Sequence, residues 1–265
     1  MARAMVGPEG LCMRFLSVGS GSNVRQIAIE QRKGGIPSLF WLGGFKSDMA
    51  GSKASALDGI GKKLGVGITR FDYSGHGKSG GNFLEGTISD WLEEAVAVFE
   101  ETTGAQIIIG SSMGGWLAFL LNRHLIHMNA SRIKALILIA PALDMTEDLM
   151  RAGFTPEELE MLESKGRVEQ PSDYGEPYII TRKLIEDGRK HLLFTEPIKT
   201  GCPVHILQGG KDEAVPVSHT MKLVSHLLFD PVMLTIVPDG DHSLSREQDI
   251  ALLERTIAQA VEDEN

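Results

Sequence analysis

The chain has 265 residues, 42% of them hydrophobic and 23% charged, and a formal net charge of −9. That length and balance suit one soluble globular domain with a large core. The acidic balance argues against a nucleic-acid partner, which would demand a basic face, and no apolar run is long enough to span a bilayer.

Short apolar runs alternate with longer helical patterns, which points to an α/β protein with a mostly parallel sheet flanked by helices. The first strand is predicted at 38–42, followed by Gly43-Gly44-Phe45. A helix follows over 49–64, where Leu57, Ile60 and Leu64 recur at helical spacing. A strand at 67–71 leads into Asp72-Tyr73-Ser74-Gly75-His76-Gly77-Lys78-Ser79. That loop has neither the G-x-x-x-x-G-K nor the G-x-G-x-x-G spacing of phosphate-binding loops, so it reads as a shaped loop near the site. A helix over 87–101 carries Ile88, Trp91, Leu92, Ala95, Val96 and Phe99. Strands at 106–109 and 134–139 follow, with a helix over 114–127 between them that is apolar over most of its surface. Runs of Ile, Val and Leu without polar alternation suit strands buried on both faces.

Between 142 and 200 the alternation breaks. Helical patterns occupy 155–165, opened by Thr155-Pro156, and 178–193, with no clear strand. One crossover rarely needs so many residues. The expectation is a small helical cap over 142–200, inserted into a core made of 1–141 and 201–265. Strands at 204–207 and 233–237 resume the pattern, with a helix starting near Val215-Pro216 and a closing helix over 248–261.

The most specific signal is Gly110-Ser111-Ser112-Met113-Gly114-Gly115, a G-x-S-x-G sequence between Ile107-Ile108-Ile109 and Trp116-Leu117-Ala118-Phe119. Strand, sharp turn and helix in that order are the context of the nucleophile elbow of the α/β-hydrolase fold. The turn strains the serine and exposes its Oγ, and glycines two residues to either side avoid a clash. The helix aims its N-terminus at developing negative charge. Ser111 is not centred between the glycines and is expected to point elsewhere. A plain Gly/Ser turn is the alternative.

In this fold the acid and then the base follow the serine. Asp212, in the loop after the 204–207 strand, is the expected acid. Its alternative role is a helix N-cap, and Asp144 and Glu213 are rival acids. His242, in Asp239-Gly240-Asp241-His242-Ser243 after the last strand, is the expected base. His124, His127, His219 and His226 fall on helical patterns and His205 in a strand. His76, in the glycine-rich loop, is the second choice as a site residue. Ser112 would attack an acyl carbon, His242 would take and return the proton, and Asp212 would fix the imidazole tautomer. The backbone N–H groups of Met113 and Phe45 are the expected oxyanion hole. Trp41, Phe154, Tyr174 and Tyr178 are candidates for an acyl pocket, with core packing as the alternative for each.

These motifs, with Arg70-Phe71-Asp72-Tyr73-Ser74-Gly75, Cys202-Pro203-Val204, Val215-Pro216, Asp241-His242 and Arg246-Glu247, resemble the α/β-hydrolase-domain palmitoyl-protein thioesterases. Those are mitochondrial enzymes that also cleave acyl glucuronides, with bacterial relatives. The resemblance runs from about Phe40 to the C-terminus and is weaker in the cap, apart from Pro171-Ser172-Asp173-Tyr174. It implies Ser112, Asp212 and His242 as a triad, no metal or organic cofactor, and small-molecule or protein-linked acyl esters and thioesters as substrates. A general carboxylesterase for small esters and a non-catalytic binding protein on the same fold are the competing readings. Cys12 and Cys202 show no CxxC or metal spacing, which suits a reduced intracellular protein. Met1 to Phe15 lacks the apolar core of a secretory signal. The expected location is the cytoplasm, or the mitochondrial matrix if a transit peptide has been removed.

Overall fold

The structure is a computed structural model and describes residues 5–6, 10–170 and 177–263. The chain enters through three antiparallel strands, β1 (Met5–Val6), β2 (Cys12–Val18) and β3 (Arg25–Arg32). Next come β4 (Gly35–Leu42), α1 (Ser52–Leu64), β5 (Val66–Phe71), α2 (Ile88–Glu100), β6 (Gln106–Ser111), α3 (Met113–His127) and β7 (Ile133–Ile139). Then follow α4 (Pro156–Lys165), β8 (Arg167–Gln170), β9 (Tyr178–Thr181) and α5 (Arg182–Gly188). The chain closes with β10 (Val204–Gly209), α6 (Val217–His226), β11 (Val232–Val237) and α7 (Glu247–Glu262). Among the described residues the main sheet has nine strands in the order β1-β2-β3-β5-β4-β6-β7-β10-β11. From β5 to β11 every neighbouring pair is parallel. This is the α/β-hydrolase architecture.

Helices cover both faces of the sheet. In β4, Phe40 and Leu42 pack with Trp91 and Phe99 of α2 and Trp116 and Phe119 of α3. Leu39 and Trp41 turn the other way and pack with Leu57 and Ile60 of α1 and Leu253 and Ile257 of α7. This period-two split lets a strand without polar alternation feed two cores. Burying one such large side chain contributes about 2–3 kcal/mol.

Two expectations need correction. The strands β1 to β3 were not anticipated: β1 has two residues, and in β2 and β3 Arg, Glu and Gln break up the apolar residues. The stretch 178–193 is not one helix. Tyr178 to Thr181 pair with β8 as a two-stranded antiparallel sheet. Helix α5 starts only where the Thr181 hydroxyl accepts the Leu184 N–H at 3.2 Å. Upstream, Thr155 and Glu158 form a reciprocal capping box that opens α4. Phe154, Leu162, Val168, Ile180 and Ile185 form a small core of their own.

Candidate active site

Six parallel strands end on one edge of the sheet, and the loops after them gather there. Ser112 sits between β6 and α3 with φ 55° and ψ −118°, a left-handed conformation that costs a residue with a Cβ about 1–3 kcal/mol. Its surroundings hold it. The Ser112 N–H donates to the Ile139 carbonyl at 2.9 Å, and the Ser112 carbonyl accepts from Gly115 at 2.9 Å and Ala142 at 3.1 Å. The glycine requirement is steric. A Cβ on Gly110 would lie 2.4 Å from the Gly114 carbonyl oxygen, and one on Gly114 would lie 2.0 Å from that of Leu42.

Asp212 and His242 reach Ser112 from the ends of β10 and β11. Asp212 Oδ2 lies 2.8 Å from His242 Nδ1, and His242 Nε2 lies 3.1 Å from Ser112 Oγ. Asp212 Oδ1 accepts the Val215 N–H at 2.8 Å, so one carboxylate oxygen shapes the turn and the other faces the imidazole. Beneath it, Gln208 donates to Asp212 Oδ2 at 3.3 Å and to the Val215 carbonyl at 3.0 Å, while Thr220 donates to Gln208 at 2.6 Å. Asp212 does not cap α6, which starts at Val217 after Pro216. Lys53 of α1 donates to the Ser243 carbonyl, next to His242. Burial pulls the Lys53 ammonium below the usual lysine range.

The rival residues lie elsewhere. The Asp144 carboxylate accepts the backbone N–H groups of Leu193 and Phe194 at 2.8–3.0 Å, and burial pushes its pKa up. It anchors the chain returning to the core and makes no contact with His242. Glu213 is exposed. Ser111 is the last residue of β6, paired opposite Ile139.

The loop after β4 lies against the nucleophile. A Cβ on Gly44 would sit 3.4 Å from both Ser112 Cβ and the Ser111 carbonyl oxygen. Among the described residues, the backbone N–H groups of Phe45 and Met113 find no acceptor. Asp72 ties this loop to the one after β5 by accepting the N–H groups of Met49 and Lys78, each at 2.7 Å. Gly77 is needed there because its Cβ would fall 2.1 Å from Asp72 Oδ2. The ring of Phe45 packs against Phe83 at 4.9 Å and stacks on Tyr178 at 6.3 Å. Lys46 Nζ donates to the Pro177 carbonyl at 3.3 Å and lies 4.8 Å from the centre of the Tyr178 ring.

Of the described pocket candidates, Tyr178 stacks on the Phe45 ring of this loop. Trp41 belongs to the core under α1 and α7, Phe154 to the small core of 142–200, and Tyr174 lies outside the described residues. The sequence did not single out Lys53, Gln208 or Asp72. Gln208 precedes Gly209 at the end of a buried strand, and Asp72 directly follows one, which was the available signal; Lys53 had none.

The chain resembles known proteins over most of its length. The chain is 34% identical over 247 residues to the mouse (Mus musculus) mitochondrial palmitoyl-protein thioesterase ABHD10, covering 91% of this chain and 81% of that protein. The chain belongs to the ABHD10 family. Its fold agrees with the solved mouse α/β hydrolase domain-containing protein 10, with a TM-score of 0.84 and 32% identity over 96% of this chain and 99% of that one. A crystal structure from Agrobacterium vitis S4 is nearer in sequence, at 46% identity, with a TM-score of 0.92 over 95% of this chain and 99% of that one. The model of the serine aminopeptidase S33 family matches residues 61–170. The ABHD10 family is one of serine hydrolases. Among the described residues no helix is long and apolar enough to cross a membrane, and no three His, Cys, Asp or Glu side chains are placed to hold a metal ion.

Proposed function

We propose that the chain hydrolyses acyl thioesters and esters through Ser112, His242 and Asp212, with the Phe45 and Met113 N–H groups as oxyanion hole. The series of hydrogen bonds from Asp212 to His242 to Ser112 carries this reading. His242 Nε2 takes the Ser112 proton as Oγ attacks the acyl carbon. Charge on the former carbonyl oxygen is met by the two N–H groups. Collapse of the tetrahedral intermediate expels a thiol or alcohol, which leaves with the proton from His242. Water, deprotonated by His242, then frees the acid and restores Ser112. Asp212 holds the Nδ1–H tautomer and stabilises the imidazolium.

Long-chain S-acyl groups on protein or small thiols are the proposed substrates, supported by the palmitoyl-protein thioesterase activity in the names of the mammalian relatives. Residues 142–200 are proposed as a cap on a core of 1–141 and 201–265, supported by its separate small core and by the packing of Tyr178 on Phe45. The proposed setting is the cytoplasm or the mitochondrial matrix, supported by the mitochondrial setting in the names of the mammalian relatives.

The test is turnover of acyl-CoA thioesters and p-nitrophenyl esters of increasing chain length, beside Ser112→Ala. Loss of turnover in the variant and a preference for long acyl thioesters are expected. Turnover unchanged in Ser112→Ala would refute the mechanism, and a preference for short oxyesters would move the substrate to small esters.

A further inference from the structure

Lys46, directly after Phe45, has a left-handed backbone with φ 56°. A non-glycine residue pays about 1 kcal/mol or more for that conformation, so its neighbours must hold it there. The Lys46 backbone N–H donates to Nε2 of His76 at 3.2 Å. On the far side of the ring, Nδ1 lies 3.1 Å from the Ser74 carbonyl oxygen. A carbonyl accepts and cannot donate, so Nδ1 carries the hydrogen and Nε2 is the acceptor. Both nitrogens are occupied, and neither has Ser112 as a partner.

The ring has little freedom to move. His76 is 4% exposed and packs edge-on against Phe83 at 5.1 Å, Trp91 at 5.3 Å and Tyr73 at 5.7 Å. Ser74 is itself anchored to α2: its N–H donates to Glu94 at 2.8 Å, and its carbonyl accepts the Trp91 indole N–H at 3.2 Å. A chain of contacts therefore runs from a buried helix through Ser74 and His76 to the peptide that follows Phe45. Oxyanion stabilisation depends on donors already aimed before charge develops.

We propose that His76 is a positioning residue of the oxyanion hole: its Nε2 holds the Lys46 N–H and so keeps the Phe45 N–H aimed at the reacting carbonyl oxygen. This rests on the Ser112 mechanism proposed above. His76 fixes the donor loop, and a substrate's ground-state affinity depends little on it. The prediction separates kcat from KM.

The experiment compares His76→Leu, His76→Asn and His76→Gln in the full chain, with Ser112→Ala as the control. Leu has no acceptor. Asn keeps a donor for the Ser74 carbonyl but is too short to reach Lys46, so it serves even if the Leu variant does not fold. Gln carries an acceptor to about the position of Nε2. Each folded variant is assayed for p-nitrophenyl ester turnover and for inhibition by an alkylboronic acid, which forms a tetrahedral adduct on the serine. His76→Leu and His76→Asn are expected to lose about 10- to 100-fold in kcat with KM within about twofold, and His76→Gln to recover most of it. Boronic-acid affinity should fall in parallel. Wild-type kcat in folded His76→Asn, a loss confined to KM, or a Gln variant no better than Asn would overturn the inference alone. Wild-type turnover that survives Ser112→Ala would overturn the underlying mechanism, and this inference with it.

Discussion

Burial lowers the His76 imidazole to about 4 from its ordinary 6.5, with Asp48 the facing carboxylate that partly offsets this. The group is neutral in the native protein while the unfolded chain takes up a proton below pH 6.5. Between those values the unfolded state binds more protons, so stability must fall as pH falls. The full span corresponds to roughly 3 kcal/mol, reached below pH 4. At pH 5 the linkage relation gives about 2 kcal/mol lost relative to pH 8. Burial moves Glu94 the other way, up to about 7, so its contribution falls as pH rises and opposes that of His76. His191, His205 and His219 are also lowered by burial and add to the same slope as His76. The comparison with His76→Gln removes these shared terms. Urea unfolding at pH 8 and pH 5 should show the wild type losing about 2 kcal/mol more than the variant. That is about 0.7 M in the midpoint for an m value of about 3 kcal/mol/M. Equal losses in both proteins would refute the assignment of His76 as a buried neutral acceptor.

Three further outcomes follow from the site. Asp212→Asn should lower kcat by about 10³- to 10⁴-fold with the fold intact, while Asp144→Asn should cost about 1–3 kcal/mol of stability and keep most turnover. The reverse pattern, read from steady-state rates and thermal melts, would reassign the acid. Gly114→Ala places a Cβ 2.0 Å from the Leu42 carbonyl oxygen, so calorimetry should show a loss of about 3 kcal/mol or no folded protein; a wild-type melting temperature would contradict the steric argument. Lys53→Met removes the donor to the Ser243 carbonyl and should lower kcat about 3- to 10-fold with little change in melting temperature; unchanged kcat would show that the loop holds His242 without it.

The sequence exposed the elbow because its constraint is local. Gly110 and Gly114 are required by atoms within a few residues or in the adjoining strand end, and such requirements mark the chain directly. The order of Ser112, Asp212 and His242 was equally legible, since each lies in a loop after a parallel strand. The N-terminal strands were not, because β3 mixes Ile27 and Ile29 with Arg25, Gln26, Glu30 and Gln31, and its pairing with β5 lies far along the chain. β9 was missed for a different reason. Its four residues are apolar enough to join the helical pattern that follows, and only their pairing with β8 separates them. The Thr181 cap was present in the sequence as the signal for the later helix start. The role of Asp144 depended on where residues 193 and 194 return, which no local pattern records.

His242 follows an edge strand of the sheet. β11 ends the strand order, pairs with β10 alone, and has no fully buried residue among its six. Ser112 and the loop carrying Phe45 follow strands in the middle of the sheet. Transient release of that edge withdraws the base while the nucleophile and its donors stay formed. Activity should therefore drain away in mild denaturant before the core melts, and amide exchange along 232–237 would time the loss.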